Sequence, residues 1–213
     1  LGALGLCVHE VSARLKMGPG DVVVTNHPAC GGSHLPDVTL IAPVFGDNNV
    51  LLGYAANRAH HAEIGGIAPG SMSPAAKSLA QEGVVIWPMH LFMAGEAQWT
   101  QMEACLRDAP FPTRRIEENL ADLQAQVAAI RMGEAALQQM ALDVGVNKVR
   151  EQMDFIHSQA AQAIGAKLRD WAGRELRATQ RLDNGAELVA RILVDADRME
   201  VDFSGTTTVG EGN

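Results

Sequence analysis

The sequence predicts an α+β fold in which an antiparallel β-hairpin and sheet region precedes a long helical hairpin and further strands. Residues 1–105 hold most of the glycine and proline, with short apolar runs between them. Residues 113–180 contain no proline and are rich in Ala, Gln, Glu and Arg, which favour helix. Residues 183–213 return to strand-like runs. We therefore expect a β-rich region (1–110), a helical hairpin (111–180) and the start of a further β region (181–213), all within one domain.

The first region is predicted to contain one helix and a sheet built around a β-hairpin. The predicted elements are a helix over residues 3–16 and strands over residues 21–25, 38–45, 50–59 and 84–87. Asp47, Asn48 and Asn49 supply the turn between the second and third strands, which makes these two strands an antiparallel pair. Pro43 lacks the N–H that pairing with a neighbouring strand requires. We therefore expect either that the second strand lies at a sheet edge or that Pro43 lies at the end of this strand.

The helical region begins with a long amphipathic helix. Apolar residues over 116–140 recur at spacings of three, four and, once, seven, which predicts one apolar stripe. Thr113 is the expected N-cap, and Glu117 and Glu118 lie near the first turn, where the helix dipole favours acidic groups.

A second helix is predicted over residues 148–176, after a bend at Gly145. The two helices are expected to pack as an antiparallel hairpin, on the sheet or on a partner subunit. A turn signal at residues 183–185 then introduces two strands, over 188–194 and 199–203.

The composition argues against two classes of partner. A net charge of −8 and a pI of about 5.3 oppose binding to nucleic acid or to an anionic membrane surface. No apolar run approaches the roughly 18–20 residues that span a bilayer. Three cysteines without a CxxC pair favour reduced thiols and a cytoplasmic location. The chain starts without Met and stops just after a Gly-rich turn, so we expect a fragment of a larger subunit.

Four of the seven histidines fall between residues 27 and 61, in or beside predicted turns. His34 and Asp37 share a short loop that Pro36 stiffens, just before the second strand, and His60 follows the third strand. Because paired strands lie about 5 Å apart, these three side chains are expected to meet at the open end of the hairpin. Two imidazoles and one carboxylate suit a catalytic divalent ion such as Zn, Mn or Fe, which activates water or polarises a carbonyl.

Neighbouring residues are further candidates for chemistry. Arg58 is a candidate to bind a substrate carboxylate, because its guanidinium donates to two oxygens; an ordinary surface ion pair explains it equally well. His61 or Glu63 is a candidate proton shuttle, and the alternatives are a histidine that points to solvent and a solvated turn carboxylate. Cys30 beside His27 is either a nucleophile or a small residue that fills space next to glycines.

Several motifs, in this order along the chain, resemble the hydantoinase B/5-oxoprolinase family. They are GDV at 20–22, NHP at 26–28, GGSHLPD at 31–37, RAHH at 58–61, GGIAPGSM at 65–72, EGV at 82–84, ENLADLQAQVAA at 118–129 and VDFSGT at 201–206. The resemblance covers nearly the whole chain and implies that His34, Asp37 and His60 hold the metal. His27 stands where the family usually has Asp, which changes the local charge and adds a competing ligand.

The resemblance also implies an activity and a partner. Members of the family act with a hydantoinase A-type subunit or domain that uses ATP to phosphorylate the substrate, and the B-type subunit completes the reaction at its metal. The expected reaction is ATP-dependent hydrolysis of a cyclic amide, of the 5-oxoproline or hydantoin type, in a hetero-oligomer. The alternatives are an ATP-dependent acetone or acetophenone carboxylase, which shares the site, and a non-catalytic interaction module.

Overall fold

The computed structural model describes residues 2–208 and 210 and confirms an α+β architecture. Contacts divide the chain into two compact units, one extending to Val146 and the other covering Asn147–Gly210. The first unit carries every site residue predicted above. The limits predicted at residues 110 and 180 rest on composition, whereas the two units rest on contacts between residues. The predicted limits therefore stay a prediction. None of the helices in the described ranges combines the length and hydrophobicity that crossing a bilayer requires.

The first unit is built on a five-stranded antiparallel sheet. Its elements are α1 (Leu4–Arg14), β1 (Val22–Thr25), β2 (Asp37–Phe45), β3 (Leu51–His60), α2 (Leu79–Glu82), β4 (Met89–Met93), β5 (Glu96–Ala97), α3 (Trp99–Arg107) and α4 (Ile116–Val144). The strand order is β3-β2-β1-β4-β5, and every neighbouring pair is antiparallel. The sequence predicted α1 and β1 to β3 closely, because their apolar runs are bounded by clear turn residues.

Helices cover the two faces of this sheet, and β2 is buried between them. Leu40 of β2 packs in one apolar cluster with Leu123 of α4, while the next residue, Ile41, packs in another cluster with Cys7 and Val11 of α1. This division follows from the alternation of side chains along a strand. It defines an α4 side and an α1 side of the sheet, on which the candidate site depends.

The pairing of β2 with β3 confirms the predicted hairpin. The register runs from Asp37 opposite His60 to Phe45 opposite Leu51. β2 lies inside the sheet rather than at its edge, so the edge position inferred from Pro43 is wrong. The pairing of β2 with β1 ends at Ile41, however, so Pro43 lies beyond the stretch in which its missing N–H would be needed on that side.

Residues 84–87 form no strand, contrary to the prediction; the fourth strand is β4, a few residues later. Val84 and Ile86 are buried, which is why the run resembles a strand in the sequence. Its backbone bonds instead to Ile64 and to the backbone and side chain of Asn26, just after β1. Asn26 Nδ2 donates to Val84 O at 2.9 Å, and Ile86 N donates to Asn26 Oδ1 at 2.7 Å. The helix α3 and the short β5 were not predicted.

The second unit contains most of α5 (Val146–Trp171) and a three-stranded antiparallel sheet in the order β6-β7-β8. The strands are β6 (Glu175–Arg181), β7 (Glu187–Val194) and β8 (Met199–Asp202). The predicted second helix, over residues 148–176, ran beyond the end of α5 at Trp171, and its last two residues belong to β6. Gly173, with φ of 80°, ends the helical stretch. Since α4 and α5 fall in different units, their packing as a hairpin stays a prediction.

Candidate metal centre

Asp37 and His60 lie directly opposite each other at the open end of the hairpin, as the first residue of β2 and the last residue of β3. His60 Nδ1 lies 3.1 Å from Asp37 Oδ1. His34, in the loop before β2, places Nε2 3.7 Å from Asp37 Oδ2. The rings of His34 and His60 meet edge to face, with centroids 5.0 Å apart. The structure thus brings together the three residues predicted as metal ligands, with one ligand atom from each within 4.8 Å of the others.

The loop that carries His34 is held at several points. Asp37 N donates to His34 O at 3.0 Å, which closes a tight turn around Pro36. Leu35 is fully buried, and Asn26 Nδ2 donates to its carbonyl at 2.9 Å. Pro36 O accepts from His61 N at 2.8 Å, which ties the loop to the end of β3. Both sides of the cluster therefore have backbone positions fixed before any ion binds.

The carboxyl of Asp37 is held in its ionised form. Burial raises the pKa of Asp37, but a hydrogen bond from Ser33, a second from His60 and the charges of the two imidazoles outweigh it. The pKa of Asp37 therefore lies below its ordinary value. Ser33 Oγ donates to Oδ2 at 2.7 Å, so a side chain that the sequence left unassigned orients this acid. An ionised carboxylate is the form that binds a cation.

The cluster fits a divalent metal ion. Zinc binds nitrogen and oxygen ligands at about 2.0–2.2 Å, so two of its ligands lie at most about 4.4 Å apart, and small side-chain rotations close the observed spacing. Neither ring nitrogen of His34 has a hydrogen-bond partner among the described residues, and Nδ1 is also buried. His60 leaves 53% of its side chain exposed, so the cluster is open to solvent. An imidazole without hydrogen bonds, beside an ionised acid and open to solvent, can bind an ion and leave room for substrate or water.

Arg58 lies on the α1 side of the sheet, two residues before His60, but its guanidinium is engaged by the protein. Nε donates to Thr39 Oγ1 at 2.7 Å, and Nη2 donates to Gly31 O at 2.8 Å. These bonds join β2, β3 and the loop that leads to His34. The predicted role in binding a substrate carboxylate stays untested, while the structure gives Arg58 an anchoring role.

His61 lies on the other side of the sheet and is not part of the cluster. Its side chain is buried, with Nδ1 2.6 Å from Asn119 Oδ1 and Nε2 3.1 Å from Gln126 Oε1, both on α4. Successive residues of an extended chain point to opposite faces of a sheet. His60 lies on the α1 side, so His61, the next residue, faces α4. Neither nitrogen is free to shuttle a proton to a ligand at the cluster. The catalytic role predicted for His61 stays a prediction, while its hydrogen bonds hold the end of β3 on α4.

Glu63 is likewise buried and fully engaged. Its Oε1 accepts from Gly65 N at 2.7 Å and from Arg114 Nη1 at 2.8 Å. Its Oε2 accepts from the hydroxyl of Thr113 and from the backbone N–H of Arg114. Burial raises the pKa of Glu63, but these hydrogen bonds outweigh it and leave the pKa below its ordinary value. Glu63 joins the end of the hairpin to the segment before α4, and its predicted catalytic role remains untested.

His27 and Cys30 are not among the residues that the structure gathers at the cluster. His27 Nδ1 accepts from Ala29 N at 3.1 Å, and its ring stacks on Trp87 at 3.8 Å between centroids. Cys30 is buried against Cys7 and other residues of the α1 side, and burial raises the pKa of its thiol. Its surroundings favour the space-filling role over the nucleophile.

Sequence reasoning missed two polar residues of α4, Asn119 and Gln126. Both are buried, and they lie on the same helical face as Leu123 and Ile130. The signal was present, since spacings of four, three and four place these four residues on one stripe. The prediction of Thr113 as the N-cap is wrong, because α4 begins at Ile116 with Arg115 as its N-cap. The hydroxyl of Thr113 donates to Glu63 instead.

Comparison with known proteins identifies the family. A family model described as hydantoinase B/oxoprolinase matches residues 1–213, the whole chain. The chain belongs to this family. Among hydantoinase B/oxoprolinase relatives, it is 36% identical to 5-oxoprolinase 1 of Arabidopsis thaliana over 99% of the chain, and 34% identical to 5-oxoprolinase of Saccharomyces cerevisiae over 100%. It spans 19% and 18% of those two proteins, about a fifth of their length.

Two solved structures have the same fold. The chain superposes on an ATP-dependent caprolactamase from Pseudomonas jessenii with a TM-score of 0.81 and 26% identity, covering 94% of the chain and 35% of the caprolactamase chain. It superposes on acetone carboxylase with a TM-score of 0.73 at 16% identity, covering 99% of the chain and 30% of that protein. The second likeness shows a shared fold and nothing about chemistry.

Proposed function

We propose that this chain carries the metal centre of an ATP-dependent enzyme that hydrolyses a cyclic amide of the 5-oxoproline or hydantoin type. The observation that carries the proposal is the convergence of His34, Asp37 and His60 at the open end of one hairpin. The sequence identity to 5-oxoprolinases supports the substrate class. The proposal concerns the whole protein, of which this chain has about a fifth of the length of those relatives.

In the proposed site, His34, Asp37 and His60 hold a divalent ion such as Zn, Mn or Fe. When bound, such an ion polarises a substrate carbonyl or lowers the pKa of a water molecule. The protein's own part is to keep Asp37 ionised through Ser33 and His60, and to leave the face beside His60 open. The buried Leu35 and the closed turn around Pro36 keep the ligand-bearing loop in one conformation.

The proposal includes a hydantoinase A-type subunit or domain that supplies ATP-dependent activation of the substrate. One relative is named subunit beta of caprolactamase, from Pseudomonas jessenii, and is 30% identical over 73% of the chain. This name supports the proposal that the present protein acts in a complex of several subunits.

We also propose a cytoplasmic location, because all three cysteines are free. The second candidate is an acetone- or acetophenone-type carboxylase, which the family resemblance implies would use the same three residues.

Metal analysis of the full-length protein tests the proposal. We expect about one divalent ion per site in the wild type and loss of that ion in Asp37→Ala, with retention in Asp47→Ala, an exposed acid in the hairpin turn. Absence of bound metal in the wild type would contradict the proposal and favour the non-catalytic interaction module. Turnover with the partner, compared with and without bicarbonate, then separates hydrolysis from carboxylation.

A further inference from the structure

The side-chain amide of Gln126 contacts two residues, Val38 and His61. Each of them directly follows a residue of the proposed metal site. Gln126 Nε2 donates to the carbonyl of Val38 at 3.0 Å, and its Oε1 lies 3.1 Å from Nε2 of His61. Val38 follows Asp37, and His61 follows His60. Gln126 is buried on α4, on the side of the sheet away from the cluster. It therefore lies behind the pair Asp37–His60.

The amide of Gln126 has one orientation that satisfies its surroundings. Its Nε2 donates to Asn57 Oδ1 at 3.0 Å as well as to Val38 O. Asn57 is itself oriented, because its Nδ2 donates to the backbone carbonyl of Gln126 at 2.8 Å. Rotating the amide by half a turn would set an oxygen against two acceptors. The oxygen of Gln126 is therefore directed at His61.

The ring of His61 is held from its other nitrogen as well. Asn119 Oδ1 lies 2.6 Å from Nδ1, and the Asn119 amide is oriented by donating to Thr113 Oγ1 at 2.8 Å and to Arg115 O. The backbone N–H of His61 donates to Pro36 O, inside the loop that precedes Asp37. The backbone on both sides of the cluster is thus tied to α4 by buried hydrogen bonds.

We propose that Gln126 is a positioning residue for the metal centre, setting the spacing of Asp37 and His60 from the opposite side of the sheet. The inference rests on the proposed metal site and deepens it. A ligand set needs fixed spacing, and buried hydrogen bonds behind the ligands fix it at the level of the backbone. Nothing in this role requires Gln126 to touch substrate or metal.

The test is a metal titration of the full-length apoprotein with Zn²⁺, using a chromophoric chelator as competitor. Gln126→Met keeps the length and helix propensity of the side chain but removes the donor and the acceptor. We expect its dissociation constant for Zn²⁺ to rise by about 10-fold, the lower end of the range for groups bonded directly to metal ligands, because Gln126 bonds to the residues that follow them. The matched control is Gln124→Met, at an exposed position of the same helix, with a change below about twofold.

A second readout is the visible spectrum of the Co²⁺-loaded protein, which reports ligand geometry. We expect a shifted spectrum in Gln126→Met and an unchanged one in Gln124→Met. If Gln126→Met does not fold, Gln126→Asn replaces it, since the shorter amide cannot reach Val38 O and His61 together.

The outcomes separate the two proposals. Wild-type affinity and an unchanged Co²⁺ spectrum in a folded Gln126 variant overturn the positioning role and leave the metal centre intact. A wild type that binds neither Zn²⁺ nor Co²⁺ overturns the metal centre, and the positioning role with it.

Discussion

His60 and His61 are adjacent in the chain, yet their side chains lie on opposite sides of the sheet. His60 Nδ1 lies 3.1 Å from Asp37 at the open cluster, whereas both nitrogens of His61 face amide oxygens of α4. The side chain of His60 is 53% exposed, and residue His61 is 1% exposed. His60 belongs to the proposed metal site, whereas His61 holds the end of the strand on α4.

Alanine substitutions at these two positions should therefore differ in their effect on stability. We expect His60→Ala to lose metal while its free energy of unfolding changes by less than about 0.5 kcal/mol, because the side chain is exposed. His61→Ala should lower that free energy by about 2–3 kcal/mol, because it leaves buried amides of α4 unpaired. The metal content of the two purified variants and urea unfolding of their apoproteins check this. Equal destabilisation by the two substitutions would contradict it.

Glu63 should make the stability depend on acid pH. Its pKa in the folded protein lies below the ordinary value of 4.5, so its stabilising contribution is complete above that value. The contribution is lost as the pH falls through the lower, folded pKa. We expect Glu63→Gln to be less stable than the wild type by about 2–3 kcal/mol at pH 7, and the difference to shrink below pH of about 4.5. Urea unfolding between pH 7 and pH 3 measures this difference.

Glu118, an exposed acid in the first turn of α4, is the matched control for Glu63. Glu118→Gln should differ from the wild type by less than about 0.5 kcal/mol at pH 7. A gap between wild type and Glu63→Gln that stayed constant down to pH 3 would show that ionisation of Glu63 is not the cause.

Arg58→Lys should weaken metal binding by loosening the loop that carries His34. The guanidinium reaches Thr39 Oγ1 and Gly31 O at once, and a single ammonium cannot reproduce that geometry. We expect a rise of about three- to tenfold in the dissociation constant for Zn²⁺. Arg107→Lys, in an exposed ion pair of α3, is the control. If Arg58 instead binds a substrate carboxylate, KM rises and metal affinity stays at the wild-type value.

Gly31→Ala should destabilise the protein more than Gly70→Ala, a substitution of another glycine with positive φ. Gly31 has φ of 77°, and an added Cβ would lie 2.7 Å from Cys7 N. Gly70 has φ of 97° but open space around the added atom. We expect Gly70→Ala to cost about 1–2 kcal/mol from backbone strain alone, and Gly31→Ala to cost clearly more because backbone must also move. Thermal unfolding of both variants compares them, and equal costs would rule out the steric contribution at Gly31.

Prediction of the site from sequence succeeded where the information is local. The turn at residues 47–49 fixes the hairpin, and the hairpin register sets Asp37 opposite His60. It failed at residues 84–87, where hydrophobicity indicates burial but not whether backbone groups pair with a strand or with Asn26. It also failed at β6, because residues such as Leu176 and Ala178 fit a helix as well as a strand.

By itself, the sequence determined the residue types of the proposed ligands, their order along the chain and the hairpin that joins them. Only the tertiary structure decided which neighbours of those ligands turn toward α4 and become the buried partners of Asn119 and Gln126. Alternation along a strand specifies that adjacent side chains diverge, but not which face each one takes. That choice depends on where α4, about 60 residues further along the chain, packs on the sheet.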